Sequence, residues 1–195
     1  LEESLKNKAG DPEVTVRLAR CYNMLGRGAE ARTVLDNSLR QNPDHMLSLR
    51  TRGQFALADQ KPADAEGWLR DAVRVSPNDY QAQWLLSQSL QQQGKDAEAR
   101  DQFRLAEQIK DRVERLGELR SRKLSEQPLD PALHYEMAKL LLDSTTPQVA
   151  ENWLKSALNL DPAYRPAHLL LATIYEKRGE TELAAEHRRR AGSEK

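Results

Sequence analysis

The chain has 195 residues, with 30 basic and 30 acidic side chains and no net charge when histidine is neutral. This balance argues against a dedicated nucleic-acid-binding protein, because such proteins usually carry a basic excess that releases counterions from phosphate. Charged residues make up 31% of the chain and aromatic residues only 5%, which suits thin helical layers better than one large core. No apolar run is long enough to span a bilayer, so we expect no direct membrane insertion.

A near-copy within the sequence points to internal repetition. The stretch AEGWLRDAVRVSP starts at Ala65, and AENWLKSALNLDP starts at Ala150. A fixed period of about 34 residues divides the chain into five repeats, which start at Pro12, Met46, Tyr80, Pro131 and Arg165. Position 20 is then always alanine: Ala31, Ala65, Ala99, Ala150 and Ala184. Positions 8 and 27 are always small, and position 24 is large and apolar in all repeats except the fifth: Leu35, Leu69, Phe103, Leu154 and then Arg188.

In chain order, each repeat shows two apolar patterns at helical spacing, separated by a breaker such as LGRGAE or KRGETE. Asp11 and Asp130 each precede a proline, an arrangement typical of a helix start. The recurring small residues predict close crossings between paired helices, with the large residue of position 24 filling the adjacent groove. One such pair cannot bury its apolar face alone, so we expect neighbouring pairs to stack.

These residues resemble a known repeat family. The pattern Leu18-Ala19…Tyr22…Gly26…Ala31…Leu35…Pro43 is similar to the tetratricopeptide repeat (TPR), and the fifth repeat matches with Leu171-Ala172…Tyr175…Gly179…Ala184…Ala191. The resemblance implies an all-α fold, a right-handed superhelical solenoid of helix-turn-helix repeats. The sequence departs from the family pattern in three respects: the tryptophan usual at position 4 is absent from every repeat, Arg52 occupies the apolar position 7 of repeat two, and Thr145 replaces the breaker glycine of repeat four.

The two similar stretches are two and a half periods apart, and the extra half period lies between repeats three and four. No proline interrupts residues 97–126, and apolar residues recur there at helical spacing. We therefore predict one extended helix of about 30 residues, shared between two lobes, with a kink at Gly117 as the alternative. The expected segments are the tail of a preceding repeat's second helix at 1–11, repeats one to three at 12–113, the long helix at 97–126, and repeats four and five at 131–195 with a polar C-terminal capping helix.

The sequence contains no glycine-rich phosphate loop, no HExxH and no CxxC, so we predict a protein that is not an enzyme and holds no cofactor or metal. His134 and His168 share position 4 of adjacent repeats, and we interpret them as packing residues because further ligands at suitable spacing are missing. Trp68 and Trp153 share position 23, which also indicates packing. Cys21 lies in an apolar pattern and is expected to be a small buried thiol. A single cysteine also excludes an internal disulfide.

The resemblance also indicates where a ligand would bind. In tetratricopeptide arrays the first helix of each repeat lines the concave face, with positions 2, 5, 9, 12 and 13 pointing inward. Carried onto this chain, the face has basic and amide groups around two aromatic rings, which could hydrogen-bond an extended backbone and stack on a side chain. The alternative is an inner face that is merely solvated. The predicted peptide-binding residues are Arg20, Asn23, Arg50, Gln54, Trp84, Gln88, Gln91, Tyr135 and Lys139.

The leading hypothesis is a non-enzymatic protein–protein interaction scaffold that binds a peptide or protein segment in the concave groove. The alternative is a regulatory or targeting region of a larger enzyme or membrane-assembly protein whose catalytic part lies upstream of residue 1. Self-association through the long helix or through the ends of the array is a third interpretation. The compartment stays open between the cytoplasm and, if a signal sequence has been removed, the periplasm.

Overall fold

The computed structural model describes residues 11–142 and 147–192, apart from the side chain of Arg122, and every regular element within these ranges is helical. The tail expected at residues 1–11 lies, except for Asp11, outside the described residues. A π-helical turn, Leu119–Lys123, separates α6 from α7. The α-helices are α1 Pro12–Met24, α2 Gly28–Gln41, α3 Met46–Ala58, α4 Pro62–Val75, α5 Tyr80–Gln92, α6 Asp96–Glu118, α7 Leu124–Glu126, α8 Pro131–Leu142, α9 Pro147–Leu160, α10 Arg165–Lys177 and α11 Thr181–Gly192.

The helices form two compact lobes, Leu1–Lys110 and Asp111–Lys195. In the first lobe α1 packs against α2 and α3 against α4, and in the second α8 packs against α9 and α10 against α11. These adjacent pairs confirm the predicted all-α, helix-pair architecture. The boundary between the lobes falls inside α6, and Gly117 also lies within that helix.

Helix ends and turns recur at the same repeat positions. Asp11 and Asp79 precede α1 and α5, and their carboxylates accept a hydrogen bond from the first-turn backbone of the helix, at 2.9 and 2.8 Å. Position 15 of repeats one, three and five is a glycine with a positive φ of 74–78°, the left-handed conformation that ends a first helix. In repeat two Gln60 adopts it with φ 57°, where a non-glycine residue is uncommon.

The small residues of positions 8 and 20 lie where paired helices cross. All five position-20 alanines are buried, with at most 6% exposure. At position 8 of repeat two, a Cβ added to Gly53 would lie 2.5 Å from Cγ of Leu69, so α3 and α4 cross too closely for any side chain there. Leu35, Leu69 and Leu154 at position 24 are fully buried. The small residues that recur at positions 8 and 20 therefore mark the points where paired helices cross.

The repeated stretch contributes a polar bridge between consecutive repeats. Position 21 of one repeat bonds to position 14 of the next: Glu66 accepts a hydrogen bond from Gln93 at 2.8 Å, and Glu151 pairs with Arg178 at 2.7 Å. Repeat one makes the same bridge with opposite charges, because Arg32 pairs with Asp59 at 2.6 Å. Glu66 and Glu151, the acidic residues that the two similar stretches have in common, therefore each bond to the first helix of the next repeat.

Glu151 shows how this bridge is made in a buried setting. Burial raises the pKa of the Glu151 carboxyl, but hydrogen bonds from Lys155, Arg178 and Tyr175 outweigh that effect, and the pKa lies below its usual value. Burial, together with the hydrogen bond to Glu151, raises the pKa of Tyr175. A buried carboxylate is tolerated here because three donors replace its water.

Position 4, where the family usually has tryptophan, anchors the connection before the first helix in repeats three, four and five. Nε2 of His134 lies 2.9 Å from the carbonyl oxygen of Pro128, and Nε2 of His168 lies 3.0 Å from that of Pro162. Gln83 in repeat three donates the equivalent bond to the Pro77 carbonyl at 3.0 Å. Both histidines therefore serve in packing and loop anchoring.

Two expectations about burial are wrong. Cys21 is exposed. It occupies position 10, which faces the second helix of the preceding repeat, as Phe55 does when it packs with Leu35. No described residue precedes Asp11, so nothing in the described chain plays that part for Cys21. Phe103, expected to be a filled position 24, is 49% exposed, because the extra half period extends α6 where the next first helix would otherwise begin.

Candidate functional site

The first lobe contains a cavity of about 730 Å³ lined by α1, α3, α5 and α6. Five of the predicted groove residues line this cavity together: Arg20, Asn23, Arg50, Gln54 and Trp84. They come from the three first helices, at positions 5, 9 and 12 of their repeats. Stacking the repeats thus brings side chains that are one or two repeats apart in sequence onto one surface.

The sequence interpretation missed several residues of this cavity. Tyr80 and Gln81 stand at positions 1 and 2 of repeat three, and position 2 already belongs to the inward-facing set, so Gln81 carried a usable signal. Glu107 and Lys110 come from α6, a second helix, for which the family pattern gives no inward position. Apolar side chains complete the wall: Met24, Phe55, Leu85 and Ala106.

Arg50 is held in place by a nearly buried ion pair. Its Nη1 lies 2.5 Å from Oδ2 of Asp79, and the side chains of Arg50 and Asp79 are only 15% and 9% exposed. The other carboxylate oxygen of Asp79 caps α5 through the backbone N–H of Ala82. Arg50 therefore links the first helices of repeats two and three and also lines the cavity.

Trp84 is the largest aromatic residue on this surface and is 42% exposed. The amides of Asn23, Gln54 and Gln81 share the cavity with it, and each can donate and accept hydrogen bonds. Arg20 and Lys110 add positive charge and Glu107 adds one negative charge. An apolar wall with a few convergent polar groups, at this volume, is typical of a ligand-binding pocket.

The other four predicted residues lie elsewhere. Gln88 is half-buried on α5, and Gln91 lines a second cavity of the first lobe together with Phe103. Tyr135 belongs to the second lobe, where its ring meets that of Tyr164 edge-on at 5.9 Å and lines a hollow of about 310 Å³ with Leu169. Lys139 is exposed on the same helix, α8.

Comparison with known families agrees with this geometry. Two family models, each described as the tetratricopeptide repeat, match residues 1–53 and 50–112. The chain is a tetratricopeptide repeat protein. Family membership supports a role as a protein-interaction scaffold that binds protein or peptide partners. No curated protein matches the sequence.

Several solved structures are similar to this chain at low sequence identity. A crystal structure of MamA is 14% identical, with 89% of this chain and 91% of that chain covered and a TM-score of 0.44. MamA 41-end from Desulfovibrio magneticus RS-1 is 17% identical, with 92% of each chain covered and a TM-score of 0.38. YrrB, described as a TPR protein with an unusual peptide-binding site, is 13% identical, with 97% and 89% covered and a TM-score of 0.43.

Membrane-spanning helices and clusters of metal ligands are both absent from the described residues. None of their helices is both long enough and apolar enough to cross a membrane. They also contain no group of three or more histidine, cysteine, aspartate or glutamate side chains placed to hold a metal ion.

Proposed function

We propose that this protein is a scaffold that binds an extended peptide segment in the groove formed by α1, α3, α5 and α6. The observation that carries the proposal is the cavity in which Trp84, three amide side chains and three cationic side chains come together. Trp84 leaves over a third of its surface in water, so covering it with a partner's side chain contributes favourably to binding.

The amide groups suit the backbone of a peptide. Asn23, Gln54 and Gln81 each offer a donor and an acceptor, which match the N–H and C=O groups of an extended chain. Arg50 is pre-positioned by Asp79, so little side-chain entropy is lost when its free N–H groups bind a carbonyl or carboxylate. Arg20 and Lys110 favour a segment that carries an acidic residue beside an apolar one.

A peptide selection on the whole protein tests this proposal. A library of short random peptides is selected against the chain, and the affinities of the selected peptides are measured by fluorescence anisotropy. Trp84→Ala should weaken binding about tenfold or more, because truncating a central aromatic anchor typically costs about 2 kcal/mol. Phe103→Ala removes a similarly exposed aromatic ring from the same lobe outside this cavity and serves as the matched control.

The two variants distinguish binding in the groove from nonspecific hydrophobic binding. Unchanged affinity in Trp84→Ala, or an equal loss in both variants, contradicts binding at this groove. Arg20→Ala gives a second readout, because removing a cation that faces an acidic peptide residue should lower both the affinity and its dependence on salt.

A further inference from the structure

The first lobe has a second concave surface, apart from the groove around Trp84. We call it the repeat-three face, a cavity of about 810 Å³ lined by Ser87, Gln91, Asp96, Ala99, Arg100, Phe103, Arg104 and Glu107. These residues occupy positions 8 and 12 of the first helix and 17, 20, 21, 24, 25 and 28 of the second. Phe103, one of these residues, is 49% exposed, whereas Leu35, Leu69 and Leu154 at position 24 are fully buried.

The same positions in repeat two show what this surface is built to hold. There Ala65 and Leu69 pack against Leu85, Leu86 and Leu90 of α5, the first helix of the next repeat. Polar contacts complete the docking: Ser89 donates to the Pro62 carbonyl at 2.7 Å, and Gln93 donates to Glu66 at 2.8 Å. Ala99 and Phe103 stand in repeat three where Ala65 and Leu69 stand in repeat two. The repeat-three face therefore has the form of a docking site for a first helix.

The charges of the repeat-three face indicate which charges a docked helix should carry. In repeat one, position 21 is Arg32, and it pairs with Asp59 at position 14 of the incoming helix. Position 25 is Asp36, and it pairs at 2.8 Å with Arg52 at position 7 of that helix. Repeat three has arginine at both positions, Arg100 and Arg104, and both are exposed. Arg104 has an exposed neighbour of opposite charge, Asp101 at 3.5 Å.

We propose that the repeat-three face docks an amphipathic helix of another protein that carries two acidic residues seven positions apart, with aliphatic residues between them. Residues seven apart lie two turns apart on the same side of a helix, so both carboxylates can reach the arginines while the aliphatic side chains cover Phe103. This partner is distinct in chemistry from the extended segment of the groove.

The first helix of a second copy does not meet this requirement. In α1 the residue at position 7 is Leu18, and Leu25 follows at position 14, and neither can pair with an arginine. Position 6 of the same helix is Arg17, which adds like charge. The charge pattern thus favours a different protein over head-to-tail self-association.

A peptide taken from this chain supplies the probe. Residues 46–59 already carry Asp59 at position 14, so changing Arg52→Glu at position 7 gives the proposed acidic pair, and the unchanged peptide is its control. A side-chain bridge between peptide positions 54 and 58, both exposed in the protein, keeps each peptide helical. Binding of both peptides to the full chain is measured by fluorescence anisotropy.

We expect the Glu-substituted peptide to bind the full chain about fivefold more tightly than the unchanged one. The protein variant Arg104→Glu should reverse that preference, and Phe103→Ala should weaken the Glu-substituted peptide about tenfold. Trp84→Ala should leave both affinities unchanged, which separates this face from the groove. Equal binding of the two peptides, or no effect of Phe103→Ala, overturns the proposal. So does a concentration-dependent dimer in sedimentation that Phe103→Ala dissolves, because the face would then belong to a second copy.

Discussion

Repeats two and three carry side chains of similar size at the same positions of the face that can contact a following repeat. They differ in whether another helix covers that face. In repeat two, Leu69 is fully buried under α5, whereas in repeat three Phe103 at the same position is 49% exposed. Both residues are large and apolar, so hydrophobicity does not decide their burial. The difference teaches that the burial of a residue in a repeat protein depends on whether another helix follows it.

The largest expected difference comes from truncating position 24 in each repeat. Leu69→Ala should destabilise the first lobe by about 3 kcal/mol, because it leaves a cavity between α3, α4 and α5. Phe103→Ala should cost less than about 1 kcal/mol, since half of that side chain is already in water. Hydrogen exchange of the α4 and α5 amides in the full chain measures both. Comparable losses in the two variants would show that Phe103 is a core residue and that the comparison fails.

Much of the fold follows from side-chain size at fixed spacing. The alanines of position 20 and the small residues of position 8, such as Gly53, are visible in the sequence, and the family and its paired helices are confirmed. The exposure of Phe103 could not be predicted, because an apolar residue that recurs at position 24 does not show whether a helix packs on it. The prediction that Cys21 is buried is wrong for a similar reason, since position 10 faces the second helix of a preceding repeat.

The groove was predictable only in part. Arg20, Gln54 and Trp84 share a cavity because the family pattern assigns inward positions to first helices. Glu107 and Lys110 enter the same cavity from α6, a second helix, and no inward position predicts them. The ion pair between Arg50 and Asp79 joins two repeats, a long-range pairing that no local spacing reveals. Whether these residues bind a peptide stays a prediction.

A second way to sharpen the comparison is to add one methyl group at position 8. In repeat two, Gly53→Ala places a Cβ 2.5 Å from Cγ of Leu69, and we expect a net loss of about 1–2 kcal/mol despite the better helix propensity of alanine. In repeat three, Ser87 already accommodates a Cβ, and its hydroxyl donates to the Trp84 carbonyl at 2.7 Å. Ser87→Ala should therefore change stability by less than about 0.5 kcal/mol. Urea denaturation of both variants tests this, and a stable Gly53→Ala would mean that α3 and α4 can move apart.

The smallest difference concerns position 21, where repeat two has a bridged glutamate and repeat three an exposed arginine. A hydrogen bond from Lys95, aided by Gln93 and Arg70, lowers the pKa of Glu66 to about 2, against an ordinary value of 4.5. Because the pKa is lower in the folded state, the stabilisation is complete above about pH 4.5 and is lost as the pH falls towards 2. Glu66→Gln should cost about 1 kcal/mol at pH 7, less than the full shift implies because Lys95 and Arg70 are themselves partly exposed.

The pH profile distinguishes this bridge from a general surface-charge effect. Between about pH 5 and pH 2.5, the stability of the unsubstituted chain should fall more steeply than that of Glu66→Gln, so the two curves should converge at low pH. Arg100→Gln, the matched change in repeat three, should run parallel to the unsubstituted chain, because no described first helix follows repeat three directly for Arg100 to bridge. Curves for Glu66→Gln that stay parallel down to about pH 2.5 would place the carboxylate outside the bridge and remove the electrostatic distinction between the two repeats.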